Sequence, residues 1–181
     1  MTIRFIAVTN GHRADGYLIA HGDIYVARSG RLLDDTAPGK KERGEVPPGT
    51  YNIGKAMDLS AENKLTMTDG SKDTSYFRKF AIMPTGSNTE VGTKGKLKGV
   101  KGVRDTRYPG EPRTLLRFHY DGDRPGSEGC IVYDDKRAQE SIAAAVKAGD
   151  SMLIVTYVKD QNEVRAQVQQ HGGGAPVPRA S

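Results

Sequence analysis

The apolar residues of this chain come in short, β-prone runs, most of them closed off by glycine or proline. Ile3–Thr9, Tyr17–Ala20, Asp23–Ala27, Thr50–Ile53, Ser75–Pro84, Arg113–Tyr120, Cys130–Tyr133 and Ser151–Val158 all read as strands. His21-Gly22 separates two of these runs as a hairpin turn would, and Ser29-Gly30 marks a further turn. With 22 glycines among 181 residues, long helices are disfavoured, because glycine costs about 1 kcal/mol against alanine inside one. One segment escapes that rule. In "DDKRAQESIAAAVKAG" the residues Ala138, Ile142 and Val146 fall at i, i+4 and i+8, Asp134 or Asp135 can cap the start, and Gly149 can end it. These patterns predict a mainly β domain, a sandwich or barrel-like pair of sheets, with one clear helix near 135–148. A single catalytic-sized domain over 1–160 is expected, followed by a flexible tail over 161–181.

The formal net charge of +5 and pI of about 9.3 favour polyanionic partners of any kind. The basic residues concentrate in the loop 94–107, which holds Lys94, Lys96, Lys98, Lys101, Arg104 and Arg107. A single-strand nucleic-acid platform would interleave aromatics there, and none are present. No phosphate-loop pattern exists either. The loop therefore reads as a solvated segment attracted to anionic cell-envelope polymers, with no nucleic acid as partner. The start of the chain offers only a four-residue apolar run, Phe5–Val8, short of a signal peptide, and no run reaches the length of a membrane span. The expectation is a protein made in the cytoplasm, with no transmembrane segment.

Cys130 is the only cysteine, which rules out an intramolecular disulfide and leaves a thiol that is free, buried or working. It stands in "RFHYDGDRPGSEGCIVY", eleven positions after His119. A lone cysteine is often a small buried hydrophobe. Beside an imidazole it becomes a nucleophile, because the ring can take the thiol proton and the thiolate can attack an acyl carbon. If the strands holding His119 and Cys130 are neighbours, thiol and ring lie at the same sheet end. Gly129 permits close backbone approach, and the N–H groups of Gly129 and Cys130 could stabilise an oxyanion. The backbone carbonyl of Tyr120 could orient the ring. His119, Asp121 and Asp123 also invite a metal reading. Alternating acids in a Gly-Pro loop are commonly turn formers, however, and there is no spaced histidine pair, so neither metal nor cofactor is expected. Tyr108, beside Pro109-Gly110, is a lid or packing tyrosine.

His119 together with Ser127-Glu128-Gly129-Cys130-Ile131 resembles the catalytic signature of the L,D-transpeptidase (YkuD-type) family. Val46-Pro47-Pro48-Gly49-Thr50-Tyr51-Asn52-Ile53 is similar to that family's upstream Thr-Pro-x-Gly-x-Phe-x-Ile segment. The resemblance spans roughly Tyr17 to Val158. It implies a β-rich domain and a cysteine acyl-enzyme acting on peptidoglycan stem peptides, with Cys130 as nucleophile, His119 as base, and Ser127, Gly129 and Cys130 shaping the oxyanion loop. Two positions depart from the pattern: Glu128 where the family has histidine, and Val132 where it has arginine or asparagine. Arg117 or Arg124 could replace the missing carboxylate clamp. The compact loop looks like divergent phage-lysin-like or effector-like members. Together with the lack of a visible export signal, this leads to the expectation of an endolysin-like or effector-like hydrolase that edits or degrades the cell wall in the periplasm after release or delivery. Cross-linking transpeptidation and a non-catalytic basic binding module are the alternatives.

Overall fold

The computed structural model describes residues 2–30, 44–58, 65–66, 72–73, 78–84, 89–91, 101–103, 116–120 and 129–173. Its strands are β1 (Ile3–Thr9), β2 (Arg13–Ala20), β3 (Asp23–Gly30), β4 (Gly49–Asp58), β5 (Leu65–Thr66), β6 (Lys72–Asp73), β7 (Arg78–Pro84), β8 (Thr89–Val91), β9 (Lys101–Val103), β10 (Arg117–Tyr120), β11 (Ile131–Tyr133) and β12 (Met152–Val158). Two helices, α1 (Arg137–Lys147) and α2 (Gln161–His171), flank β12. The architecture is mainly β. Eight strands close into a barrel in the order β1-β12-β4-β7-β10-β11-β3-β2, while β5-β6 and β8-β9 form separate two-stranded ladders. The β1-β12 and β10-β11 pairs are parallel and the other barrel pairs antiparallel.

Period-2 alternation builds the wall. Ile3, Phe5 and Ala7 of β1, Leu18 and Ala20 of β2, Tyr25 and Ala27 of β3, and Ile131 and Tyr133 of β11 face the interior, where they pack with Tyr51, Phe118, Leu153 and Val155. The β2-β3 hairpin turns at His21 (φ 53°) and Gly22 (φ 90°), both in the left-handed region that a tight hairpin of this twist requires.

The barrel is stoppered at both ends. At the end where β3 begins, α1 lays Ala138, Ile142 and Ala145 against the core. Ser141 of α1 ties to β3 by donating to Asp23 Oδ2 at 2.8 Å, and its Oγ lies 2.7 Å from the Tyr25 hydroxyl. The helix opens with the Asp135 carboxylate accepting from the Arg137 N–H at 2.9 Å. It closes with Gly149 at φ 95°, where the Gly149 N–H reaches the Val146 carbonyl and the Asp150 N–H reaches that of Ala145. These two bonds satisfy carbonyls that a helix end would otherwise leave bare. At the opposite end, residues 44–48 cross the barrel mouth with Val46 fully buried. The Tyr157 and Tyr51 hydroxyls donate to the carbonyls of Val46 and Pro47, each at 2.5 Å.

One expectation is corrected. Residues 161–171 are helix rather than flexible tail. Asp160 caps α2 by accepting from the N–H groups of Asn162 and Glu163 at 2.9 Å. Val164 and Val168, one turn apart, are fully buried against Ile6, Tyr17, Ile19 and Ile24 on the outer face of the barrel. Two apolar residues are a thin stripe in sequence, but they land on a sheet face that itself needs cover. Residues 174–181 lie outside the described residues.

Candidate functional site

β10 and β11 are neighbours, but they run parallel, with Phe118 opposite Ile131, His119 opposite Val132 and Tyr120 opposite Tyr133. The expectation of one shared sheet end is therefore corrected: His119 lies towards the exit of its strand and Cys130 just before the entry of the next. A parallel pair cannot be joined by a tight turn, and ten residues separate the end of β10 from the start of β11. Both strands are short, so only two steps of the ladder separate the two residues. They are offset by two residues, about 7 Å along the strands and about 5 Å across them.

Alternation also decides their face. Phe118, Ile131 and Tyr133 point into the core, so Arg117, His119, Cys130 and Val132 belong to the outer face. One step back along the β10-β11 ladder, Arg117 comes level with Cys130. Cysteine, histidine and arginine are all half-buried. His119 Nδ1 lies 2.8 Å from the carbonyl oxygen of Tyr120. A carbonyl can only accept, so Nδ1 carries a proton, and whenever the ring is neutral its lone pair falls on Nε2.

The entry to β11 is fixed from beneath. Gly129 is buried and holds φ 102°, a conformation an L side chain rarely adopts. Ser29, fully buried on β3 opposite Ile131, donates its hydroxyl proton to the Gly129 carbonyl at 3.4 Å. The same hydroxyl accepts the N–H of Val46 at 2.8 Å. Glu45, buried beside Val46, accepts from the Thr9 hydroxyl at 2.9 Å. The two segments that carry the sequence signatures, one around Val46-Pro47-Pro48-Gly49 and one around Gly129-Cys130, thus meet through a single serine. Sequence reasoning missed Ser29 and Glu45. Ser29-Gly30 read as a turn signal, and Gly30 does end β3 at φ 81°, but the serine before it is a strand residue facing inwards.

Beyond His119, a cleft of about 580 Å³ opens between β3 and the start of α1, bounded by Tyr25, Val26, Tyr120, Asp134, Asp135, Lys136 and Arg137. Its charges are largely matched. Arg28 pairs with Asp134, and the Arg137 guanidinium hydrogen-bonded to Asp135 holds that carboxyl below its usual range. The Lys136 ammonium sits 5.7 Å from the centre of the Tyr120 ring, within range of a cation–π contact.

Ser127, Arg124 and Tyr108 lie outside the described residues, as do Asp121 and Asp123. Of the basic loop only Lys101–Val103 is described, as β9. Among the described residues no three His, Cys, Asp or Glu side chains converge as metal ligands, and no helix is long and apolar enough to cross a membrane. No family model, curated protein or solved structure matches this chain.

Proposed function

We propose that this protein is a cysteine acyl-transfer enzyme of L,D-transpeptidase type that cleaves peptidoglycan stem peptides. The observation that carries the reading is the common outer face of Cys130, His119 and Arg117 on adjacent strands, with His119 Nδ1 turned to the Tyr120 carbonyl so that a neutral ring has its lone pair on Nε2. His119 Nε2 takes the Cys130 proton, and the sulfur attacks the carbonyl carbon of the peptide bond. A C–S bond forms while the carbonyl π pair moves to oxygen. Collapse restores the carbonyl and breaks the C–N bond, and the imidazolium protonates the departing amine. Water then gives up a proton to Nε2 and adds to the thioester, and the sulfur leaves as thiolate. An amine in place of water would yield a cross-link. Arg117, level with the sulfur, supplies a planar cation for a substrate carboxylate.

The test is digestion of purified peptidoglycan by the native chain and by Cys130→Ala, with products identified by mass. Released peptide fragments that disappear with the variant support hydrolysis. New cross-linked dimers would turn the reading towards transfer. Identical products from both proteins would reject it.

A further inference from the structure

We infer that Ser29 is the positioning residue of this site: its buried hydroxyl ties the Gly129 carbonyl to the Val46 segment and thereby sets where the Cys130 sulfur stands relative to His119. The inference rests on the cysteine-enzyme reading above and adds a residue that neither sequence signature contains. A hydroxyl has one proton to give and two lone pairs to offer. Here the proton goes to Gly129 and a lone pair takes the Val46 N–H, so both bonds leave β3 and reach chain segments 100 and 17 residues away.

The need for such a tether follows from the glycine. Gly129 occupies a conformation that only glycine holds without strain, and glycine also has the widest choice of alternatives. A planar peptide unit links its carbonyl to the nitrogen of Cys130, so whatever holds that oxygen fixes the plane from which the cysteine departs. On the other side, Ile131 is locked into the core opposite Ser29. Cys130 is held between a packed strand residue and a glycine whose carbonyl is restrained by one hydroxyl at 3.4 Å. The Val46 segment is itself pinned by Tyr157, so the anchor is rigid. Ser29 touches neither substrate nor sulfur in this scheme and acts only through the Gly129–Cys130 peptide.

The experiment compares the native chain with Ser29→Ala and Ser29→Thr. It reads the rate of Cys130 alkylation by iodoacetamide across pH, steady-state cleavage of stem peptide, and thermal melting. For Ser29→Ala we expect a cooperative melt, an alkylation profile moved towards that of an ordinary thiol near pH 8.5, and a kcat lowered about a hundredfold with KM little changed. Ser29→Thr, which keeps the hydroxyl, restores both readouts. Should Ser29→Ala not fold, the isosteric pair Ser29→Thr and Ser29→Val poses the same question with one hydroxyl as the only difference. Native alkylation and cleavage in a folded variant lacking that hydroxyl would overturn the inference and leave the enzyme reading intact. A native Cys130 that alkylates no faster than an unstructured thiol, with peptidoglycan untouched, would bring down both.

Discussion

Replacing Tyr133 by phenylalanine should make this protein more stable. Tyr133 is fully buried on the inner face of β11, and among the described residues its hydroxyl has no hydrogen-bond partner. The ring is needed: it fills the core beside Ile131 and Phe118. The oxygen is a net cost, because water solvates it in the unfolded chain and no described residue replaces that water in the barrel. Leaving a hydroxyl unsatisfied in an apolar interior costs about 1–3 kcal/mol. Phenylalanine keeps the ring contacts and gives up only the dispersion of one atom, a few tenths of a kcal/mol. The net gain should be about 1–2 kcal/mol, or a rise of about 2–8 °C in Tm for a chain of this size. Urea unfolding supplies the second measure, as a higher midpoint at unchanged slope. Alkali supplies a third. Burial pushes the Tyr133 phenol well above its ordinary 10. A raised acid favours its protonated form in the fold, so native stability holds up to about pH 10 and falls as pH climbs towards the folded-state value. The variant lacks that term, and its advantage should widen above pH 10. A Tyr133→Phe protein less stable than the native chain at pH 7 would refute the reasoning, because the hydroxyl would then have a partner worth more than its desolvation.

Other perturbations test the rest of the architecture. A Cβ at Gly30 would meet the His12 carbonyl oxygen at 2.0 Å and the Glu45 nitrogen at 2.7 Å, at a φ of 81°. Gly30→Ala should cost about 3 kcal/mol or more and slow Cys130 alkylation, since backbone atoms cannot turn aside; a variant with native stability would contradict the placement of residues 44–48. Truncating Val164 or Val168 to alanine removes two buried carbons each, about 2 kcal/mol apiece by urea unfolding, where a true tail would show no change. Ile142→Ala in α1 should cost about 2–5 kcal/mol in the same assay, and a loss under 1 kcal/mol would mean that α1 does not stopper the barrel. Slight desolvation and the nearby Arg4 charge hold the exposed His171 below its usual 6.5, so the unfolded chain binds that proton first and stability falls slightly as pH drops through about 6.5. His171→Gln should flatten that part of the acid limb in melts taken between pH 7 and 5, and an unchanged limb would count against the influence of Arg4 on this ring.

The elements most visible in sequence were those whose signal is local. The β2-β3 hairpin announces itself through His21-Gly22 between alternating residues, and α1 through its stripe, its acidic start and Gly149. The mainly β class followed from the same local signals. Pairing was not legible. Whether β10 and β11 run parallel or antiparallel depends on where the chain re-enters the wall, and an interval of ten residues permits either. The α2 helix left a faint trace, Asp160 and Glu163 ahead of Val164 and Val168, which a glycine-rich ending obscured. At the candidate site, Cys130, His119 and the Tyr120 carbonyl could be proposed because they lie within one stretch. Ser29 could not, because its importance comes from contacts with Gly129 and Val46, which only the closed barrel brings to it.

The barrel's seam has a bearing on how the molecule is made. β12 inserts between β1 and β4, so β1 must wait for the barrel strand furthest from it along the chain before its second edge is covered. Until Val158 has emerged, the Ile3–Thr9 edge stands open to any neighbouring chain, and the ring can shut only after β12 has been made.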